Sequence, residues 1–215
     1  MASLLGLLLL LGLLASSSSS QGVQPRRRIP DPQKPPIEKV ALQPDFHPEQ
    51  FAGTWFLVAT ASRCAYLSKN HYRLEATNVV VTLAPDAASG EKALLFSTFR
   101  PLEGHCWNIT QCYFPGKTRG RFQIKGRGLP VEVAIGETDY SSYAILFLQR
   151  AKGLSAKLYG RSAKVGPAVT ATFERRVREL GLDETDHVFY FPSYGFCHTA
   201  DSFHTLDETK FTGTR

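Results

Sequence analysis

The four cysteines are the residues of this chain with the most chemistry open to them. Cys64, Cys106, Cys112 and Cys197 can form disulfides or act as thiol nucleophiles. In an oxidising compartment we expect them to pair or to remain as deliberate reactive thiols. Four cysteines permit three complete pairings, and their positions alone do not choose among these.

Cys64 has basic neighbours, since Arg63 precedes it and Lys69 follows five residues later. Positive charge nearby would favour the thiolate, which could then reduce or trap reactive ligands. Other catalytic motifs are missing, including those of serine hydrolases, zinc proteases and phosphate-binding loops. The histidines show no metal-ligand spacing, because even His198 and His204 are six residues apart. We therefore predict no catalytic residue, metal site or cofactor.

Asn108, Ile109 and Thr110 form an N-glycosylation sequon. A glycan requires an outward-facing asparagine, and the alternation of a β-strand then also directs Cys106, Thr110 and Cys112 outward. The intervening side chains would face the interior, and these are Trp107, Ile109, Gln111 and Tyr113.

The first 20 residues predict the compartment. Residues 4–14 are an apolar run broken only by glycines, and residues 16–20 are serines. This pattern is typical of a secretory signal peptide, with cleavage expected after Ser20. The run is short for a membrane span, and no later apolar run approaches 18 residues. An uncleaved anchor is the alternative.

Residues 21–44 predict a basic, proline-rich and flexible leader. They carry five basic and two acidic residues, a net charge of +3, which is half of the chain's net charge of +6. The remaining charge is spread over a much longer segment, so a nucleic-acid-binding domain is poorly supported. We expect one folded domain at 45–215.

Short apolar segments alternate with turn residues from Phe46 onward. Eight of them, at roughly 10–15-residue spacing, predict an antiparallel sandwich or barrel. They are residues 55–59, 78–83, 93–99, 106–113, 121–125, 131–135, 143–148 and 154–160.

One helix is predicted after Pro167, which suits a first helical turn, and Gly181 suits its C-terminal cap. Its apolar stripe repeats with helical period at Val169, Phe173, Val177 and Leu180. Residues 143–148 lack polar alternation, as expected of a strand buried on both faces. We therefore place the helix on the outside of the barrel, and a short strand at 188–191 after it.

Three motifs follow one another along the chain. Gly53-Thr54-Trp55 opens the first strand, Thr138-Asp139-Tyr140 lies at a late hairpin and Arg161 ends the eighth strand. With the eight strands and the helix, they resemble the lipocalin family over about residues 45–205. The resemblance implies an eight-stranded antiparallel up-and-down barrel, or calyx, with the C-terminal helix packed outside. It places Trp55 at the closed end, with Arg161 in a cation–π contact across the ring.

The resemblance also implies roles for the cysteines. The family typically ties the fourth strand to the C-terminal tail, which implies a disulfide between Cys106 and Cys197. Cys112 would lie about 20 Å from Cys106 at ~3.3 Å per residue, too far for a bond. It departs from the family pattern and would be a free thiol or a second intermolecular partner. An internal bond between Cys64 and Cys112 is the alternative.

Several segments resemble, in particular, a lipocalin subunit of the terminal complement (membrane attack) complex, among them residues 51–59, 136–140 and 189–197. The resemblance implies a secreted, non-enzymatic plasma protein. Cys64 would form a disulfide to the alpha chain of that complex, and the beta chain would be a further partner. We expect neither nucleic-acid binding nor direct membrane insertion.

The calyx would receive a partner segment or a small apolar ligand, or would simply be filled by its own side chains. The expected lining residues are Trp107, Ile109, Gln111, Tyr113 and Tyr159. A second resemblance, to alpha-1-microglobulin, rests on the first-loop cysteine and on residues 157–161. It implies the alternative function of a free extracellular carrier or thiol scavenger of small hydrophobic ligands.

Overall fold

The structure is a computed structural model that describes residues 35–86, 90–125, 130–151, 153–182 and 187–206. The predicted signal peptide and residues 21–34 of the predicted leader lie outside the described residues.

Eight antiparallel strands close into a barrel. Each strand pairs with its neighbours along the chain. The pairing of β1 with β8 joins the first strand to the last and closes the barrel. The strands are β1 (Gly53–Ser62), β2 (Asn78–Pro85), β3 (Lys92–Leu102), β4 (His105–Pro115), β5 (Arg121–Ile124), β6 (Val131–Thr138), β7 (Tyr143–Arg150) and β8 (Gly153–Gly160). This topology confirms the predicted up-and-down barrel.

The seam between β4 and β5 is the shortest pairing in the wall. It holds three residue pairs, from Tyr113 opposite Ile124 to Pro115 opposite Phe122. Along the earlier half of β4, the same edge is paired instead with a parallel strand from the C-terminal tail, β10 (Ser202–Thr205). β10 is not among the strands predicted from the sequence.

The wall separates two apolar cores because neighbouring side chains of a strand point to opposite faces. On β7, Ala144 and Leu146 join the inner core, whereas Ile145 and Phe147 join the outer one. β7 is therefore buried on both faces, as its unbroken apolar run predicts.

The outer core lies under helix α3 (Pro167–Glu179), which contributes Phe173 and Val177 as fully buried side chains. Val169 and Leu180 of the predicted stripe pack against the same core while remaining partly exposed. Gly181, just after the helix, has a φ of +68°, a conformation that favours glycine. The predicted helix is confirmed in position and in facing.

The prediction of a flexible leader through residue 44 is wrong for its last ten residues. Ile37 is 3 % exposed and, with Val40, joins the outer core. The Ile37 amide donates to Gln149 Oε1 at 2.8 Å, and its carbonyl accepts from Arg121 Nη2 at 2.8 Å. Two buried apolar side chains and these hydrogen bonds dock the segment, although proline and charge dominate its composition.

Shorter elements complete the fold. Helix α1 (Pro48–Phe51) precedes β1, and helix α2 (Ala65–Asn70) follows it. Strand β9 (Val188–Tyr190) pairs with β1 near the position predicted for it. Among the described residues, no helix has the length and apolar character needed to cross a membrane.

Candidate functional site

Trp55 and Arg161 close one end of the barrel. The guanidinium carbon of Arg161 lies 3.7 Å from the centre of the Trp55 ring. Its nitrogens donate to four carbonyl oxygens, at 2.9–3.0 Å, those of Gln50, Ala52, Thr54 and Tyr140. Trp55 is buried, and its indole Nε1 donates to the Phe51 carbonyl at 2.8 Å. The resemblance implies the cation–π contact between Arg161 and Trp55. The hydrogen bonds of Arg161 additionally fix the backbone around the closed end.

The Thr138-Asp139-Tyr140 segment forms the turn between β6 and β7. Tyr140 adopts a left-handed φ of +64°, and its amide donates to Thr138 Oγ1 at 2.9 Å. The Asp139 carboxylate accepts from the amides of Ser142 and Tyr143, at 2.8 and 3.0 Å, and from the Ser142 hydroxyl. Burial would raise the pKa of Asp139, but these hydrogen bonds outweigh it and hold the pKa below its usual 3.8.

Aromatic side chains fill the barrel above this closed end. Phe51 lies 5.1 Å from Trp55, and Phe96 stacks on Tyr113 with ring centres 3.9 Å apart. Phe46 and Phe122 pack edge-to-face at 5.9 Å. The lower interior is consequently a packed core, and any room for a ligand lies toward the open end.

The inner wall of β4 carries four of the predicted lining residues. Tyr113 lies in the inner core, and Gln111 lies directly opposite the inner-core residue Phe96. Alternation along β4 places Ile109 and Trp107 on the same face, nearer the open end, where they are partly exposed. The structure therefore brings the predicted set together along one strand.

Tyr159 joins Tyr113 in the inner core. Burial raises the pKa of both phenols above their usual 10, and the Lys157 ammonium opposes the rise at Tyr113. Both hydroxyls are therefore protonated at physiological pH and can donate hydrogen bonds inside the barrel.

The inner wall also carries two cations that are not among the lining residues predicted from the sequence. Lys157 precedes Tyr159 by two residues and so shares its inward face. Arg100 lies opposite Trp107, and its Nε is buried without a hydrogen-bond partner among the described residues. The alternation that turns Tyr159 inward also turns Lys157 inward, whereas Arg100 lies one residue beyond the end of the predicted third strand.

Cys64 lies at the open end of the barrel. It follows β1 by two residues and is exposed, and it takes part in no disulfide. Ser62 follows Trp55 by seven positions along β1, a distance of about 23 Å at ~3.3 Å per residue. The Cys64 amide donates to Ser62 Oγ at 3.3 Å, and its carbonyl accepts from the Ser68 amide at 3.2 Å. The thiol is thus presented at the start of α2 by a hydrogen-bonded backbone.

Arg63 ties this loop to the outer helix. Its Nη2 donates to the Gly181 carbonyl at 2.6 Å, just beyond α3. On the other side of the loop, the His71 ring stacks on Phe189 of β9 at 6.2 Å. The mouth is therefore held by contacts on both sides of the exposed cysteine.

Of the remaining cysteines, two form a disulfide and one is buried in the barrel wall. Cys106 and Cys197 are bonded to one another across 91 residues, as the resemblance implies. Cys112 is outside any disulfide and is 8 % exposed on the outer side of β4. Cys64 and Cys112 are not joined, so the alternative internal pairing is absent from the structure.

Comparison with known proteins gives a consistent result. The family model of the lipocalin / cytosolic fatty-acid binding protein family matches residues 52–193. The complement component C8 gamma chain of Oryctolagus cuniculus is 43 % identical over 204 residues, which cover 94 % of this chain and 96 % of the relative. Lipocalin-15 of Homo sapiens is 29 % identical over 165 residues, which cover 74 % and 85 %.

A solved structure shares the fold. The siderocalin Ex-FABP, described as functioning through dual ligand specificities, superposes with a TM-score of 0.58 at 25 % identity. The match covers 68 % of this chain and 96 % of that one.

Proposed function

The chain belongs to the lipocalin / cytosolic fatty-acid binding protein family, and we propose that within it this protein is the non-enzymatic gamma subunit of complement component eight. The observation that carries the proposal is the 43 % identity to the rabbit gamma chain over nearly the full length of both proteins. The other relative and the solved structure above are less similar to the chain. The protein would accordingly be secreted into plasma.

Cys64 is the residue that we propose to join this subunit to the alpha chain. It is exposed and outside any internal disulfide, and it lies in a loop whose backbone is fixed by hydrogen bonds. A fixed thiol at a barrel mouth loses little conformational freedom when it forms an intermolecular bond. Cys112 is unsuited to the same role because it is nearly buried in the wall.

Electrophoresis of the secreted complex without reductant tests the covalent link. We expect this chain to migrate with a larger partner, and reductant to release it at monomer mass. Cys64→Ser should abolish the larger species, whereas Cys112→Ser should preserve it. A wild-type chain that migrates as a monomer without reductant, in the presence of the alpha chain, would contradict the proposal.

The open half of the calyx is the site that we propose for a segment of the alpha chain. Trp107 and Ile109 offer apolar surface there, while Arg100 and Lys157 offer positive charge. A peptide that carries an apolar side chain and a carboxylate would match both features. The beta chain would contact the assembly without a covalent bond, and any association with membranes would be indirect.

A second candidate function is carriage of a small amphiphile by the free chain. The observation that favours it is that Arg100 and Lys157 face inward above the packed aromatic core. This arrangement suits a ligand with an apolar tail and an anionic head group. Native mass spectrometry of the non-reduced protein from plasma distinguishes the two functions. A copurified small molecule on a monomeric chain would support the carrier, and a disulfide-linked complex would support the subunit. A thiol scavenger would instead show adducts on Cys64.

A further inference from the structure

We propose that Asn108 carries an N-linked glycan whose first N-acetylglucosamine packs on the ring of Phe203. The sequon supplies the acceptor, and the structure supplies an aromatic ring beside it that the apolar cores leave exposed. The inference is independent of the proposed function, because it concerns the outer wall of β4 and β10 rather than the mouth or the interior.

Asn108 lies on the outer face of the barrel. Tyr113 and Gln111 face inward on the same strand, so alternation turns Thr110 and Asn108 outward. Thr110 Oγ1 donates to Asn108 Oδ1 at 3.4 Å, which places the hydroxyl of the sequon beside the acceptor amide. A glycan on Asn108 therefore projects away from the calyx and cannot fill it.

Two aromatic residues flank Asn108 in the wall. Phe99 of β3 is its register partner on one side, and Phe203 of β10 is its partner on the other. Register partners share a face, with strands about 4.8 Å apart, so all three side chains line one outward row. The first sugar would consequently lie within reach of either ring.

Phe203 is the ring with room for a sugar, because 74 % of it is exposed and Phe99 is partly buried. A large exposed aromatic side chain on a paired strand gains nothing from the cores of its own protein. The C–H face of a pyranose is positively polarised and packs on the negative face of an aromatic ring. A sugar on Asn108 would thus cover apolar surface that is otherwise in water.

The transfer itself must precede completion of the fold. It forms a bond between Asn108 Nδ2 and C1 of the sugar, and it breaks the C1–O bond to the pyrophosphate of a lipid-linked oligosaccharide donor. The lipid pyrophosphate leaves, and one Nδ2 proton is lost. In the folded chain β4 is paired on both edges at Asn108, and the Cys106–Cys197 bond lies two residues away. The acceptor must therefore be modified before β10 docks.

Occupancy is tested on the full chain secreted by mammalian cells. We expect the denatured wild-type protein to lose the mass of one oligosaccharide on treatment with peptide N-glycosidase F. Asn108→Gln and Thr110→Ala should lack that mass, whereas Thr110→Ser, which preserves the sequon, should keep it. A wild-type chain that runs together with Asn108→Gln would overturn the proposal.

The contact with Phe203 needs a second measurement, the thermal midpoint of high-mannose glycoprotein. Endoglycosidase H leaves one N-acetylglucosamine, so the treated protein should keep the midpoint of the intact form. Peptide N-glycosidase F removes the whole glycan and converts the acceptor asparagine to aspartate. Its product should therefore melt several degrees lower and match an Asn108→Asp variant. Phe203→Ala should remove this difference.

Tyr194→Ala is the matched control, because Tyr194 is also a highly exposed aromatic side chain but lies outside this row. The difference between the sugar-bearing and sugar-free forms should persist in that variant. If it persists equally in Phe203→Ala, the packing is disproved even where the glycan is present. Neither result depends on whether Cys64 binds a partner, so this proposal and the proposed function can fail separately.

Discussion

The guanidinium of Arg161 lies 3.7 Å above the ring of Trp55 and, at the same time, donates to four backbone carbonyls. One side chain thus joins the end of β8 to the start of β1 and to the turn that precedes β7. Such a contact depends on the planar, multidentate geometry of arginine as well as on its charge.

Arg161→Lys should therefore destabilise the fold although it preserves the charge. Lysine cannot serve four carbonyls from one plane, and those left unpaired would cost about 1–3 kcal/mol in the free energy of unfolding. Urea unfolding followed by tryptophan fluorescence measures this. Arg175→Lys is the control, since Arg175 makes an exposed pair with Glu179 and its replacement should leave the stability nearly unchanged. Equal effects of the two substitutions would show that the stability does not depend on the multidentate geometry of Arg161.

Gly53→Ala should weaken the same closed end. Gly53 has a φ of +104°, and a Cβ there would lie 3.0 Å from Arg161 Nη1. We expect a loss of about 1–3 kcal/mol from backbone strain together with displacement of the guanidinium. Gly153→Ala is the matched control, because its Cβ would meet only the Arg150 carbonyl at 3.6 Å, an ordinary contact. A neutral Gly53→Ala in the same urea titration would show that the closed end can relax around a methyl group.

Ile37→Ala tests the docking of the segment before the barrel. Ile37 is buried among the outer-core residues, so removing its side chain should cost about 2–5 kcal/mol. Glu38→Ala, at the exposed neighbouring position, should stay within about 0.5 kcal/mol of wild type. Calorimetric melting of the three proteins measures the comparison. A free, solvated leader would make both substitutions neutral.

Asp139→Asn should remove a pH-dependent part of the stability. The folded-state pKa of Asp139 is depressed, so its contribution is fully present above the ordinary pKa of 3.8 and is lost as the pH falls through the lower folded value. The difference in unfolding free energy between wild type and Asp139→Asn should therefore be largest near neutral pH and shrink below the ordinary pKa. Urea titrations at several pH values check this. A constant difference would mean that ionisation of Asp139 plays no part.

Cys64 and Cys112 should differ in reactivity in the free monomer whose Cys106–Cys197 disulfide is intact. Cys64 is exposed and Cys112 nearly buried, so iodoacetamide should modify Cys64 at least about tenfold faster in the native protein. In denaturant the two rates should converge. Mass spectrometry of the alkylated peptides measures both, and Cys64→Ser should remove the fast phase. Similar native rates would show that the wall around Cys112 opens readily.

Much of this architecture could be predicted because local patterns and tertiary packing agree. The eight apolar segments, the stripe of α3 and the alternation along β4 each point to the face that the structure buries. β10 was missed because Ser202–Thr205 is too short and polar to show a period, and its place is set by the neighbouring disulfide and by the free edge of β4.

The segment that contains Ile37 was missed for a different reason. Proline and charge dominate its composition, while its placement depends on the buried side chains of Ile37 and Val40 and on hydrogen bonds to Gln149 and Arg121. The inward facing of Lys157, by contrast, follows from the sequence, because Lys157 shares the face of Tyr159.

The three-pair seam between β4 and β5 is the place where the barrel wall opens locally at the lowest cost in hydrogen bonds. Every other junction in the wall is longer, so the smallest fluctuation that opens the interior sideways is separation of these two strands. Water could then reach the packed core at the closed end, to which Tyr113, Phe122 and Ile124 of the seam belong, even when a bound segment blocks the mouth. A partner seated at the mouth would leave this lateral route intact, because the route depends only on hydrogen bonds that lie toward the opposite end.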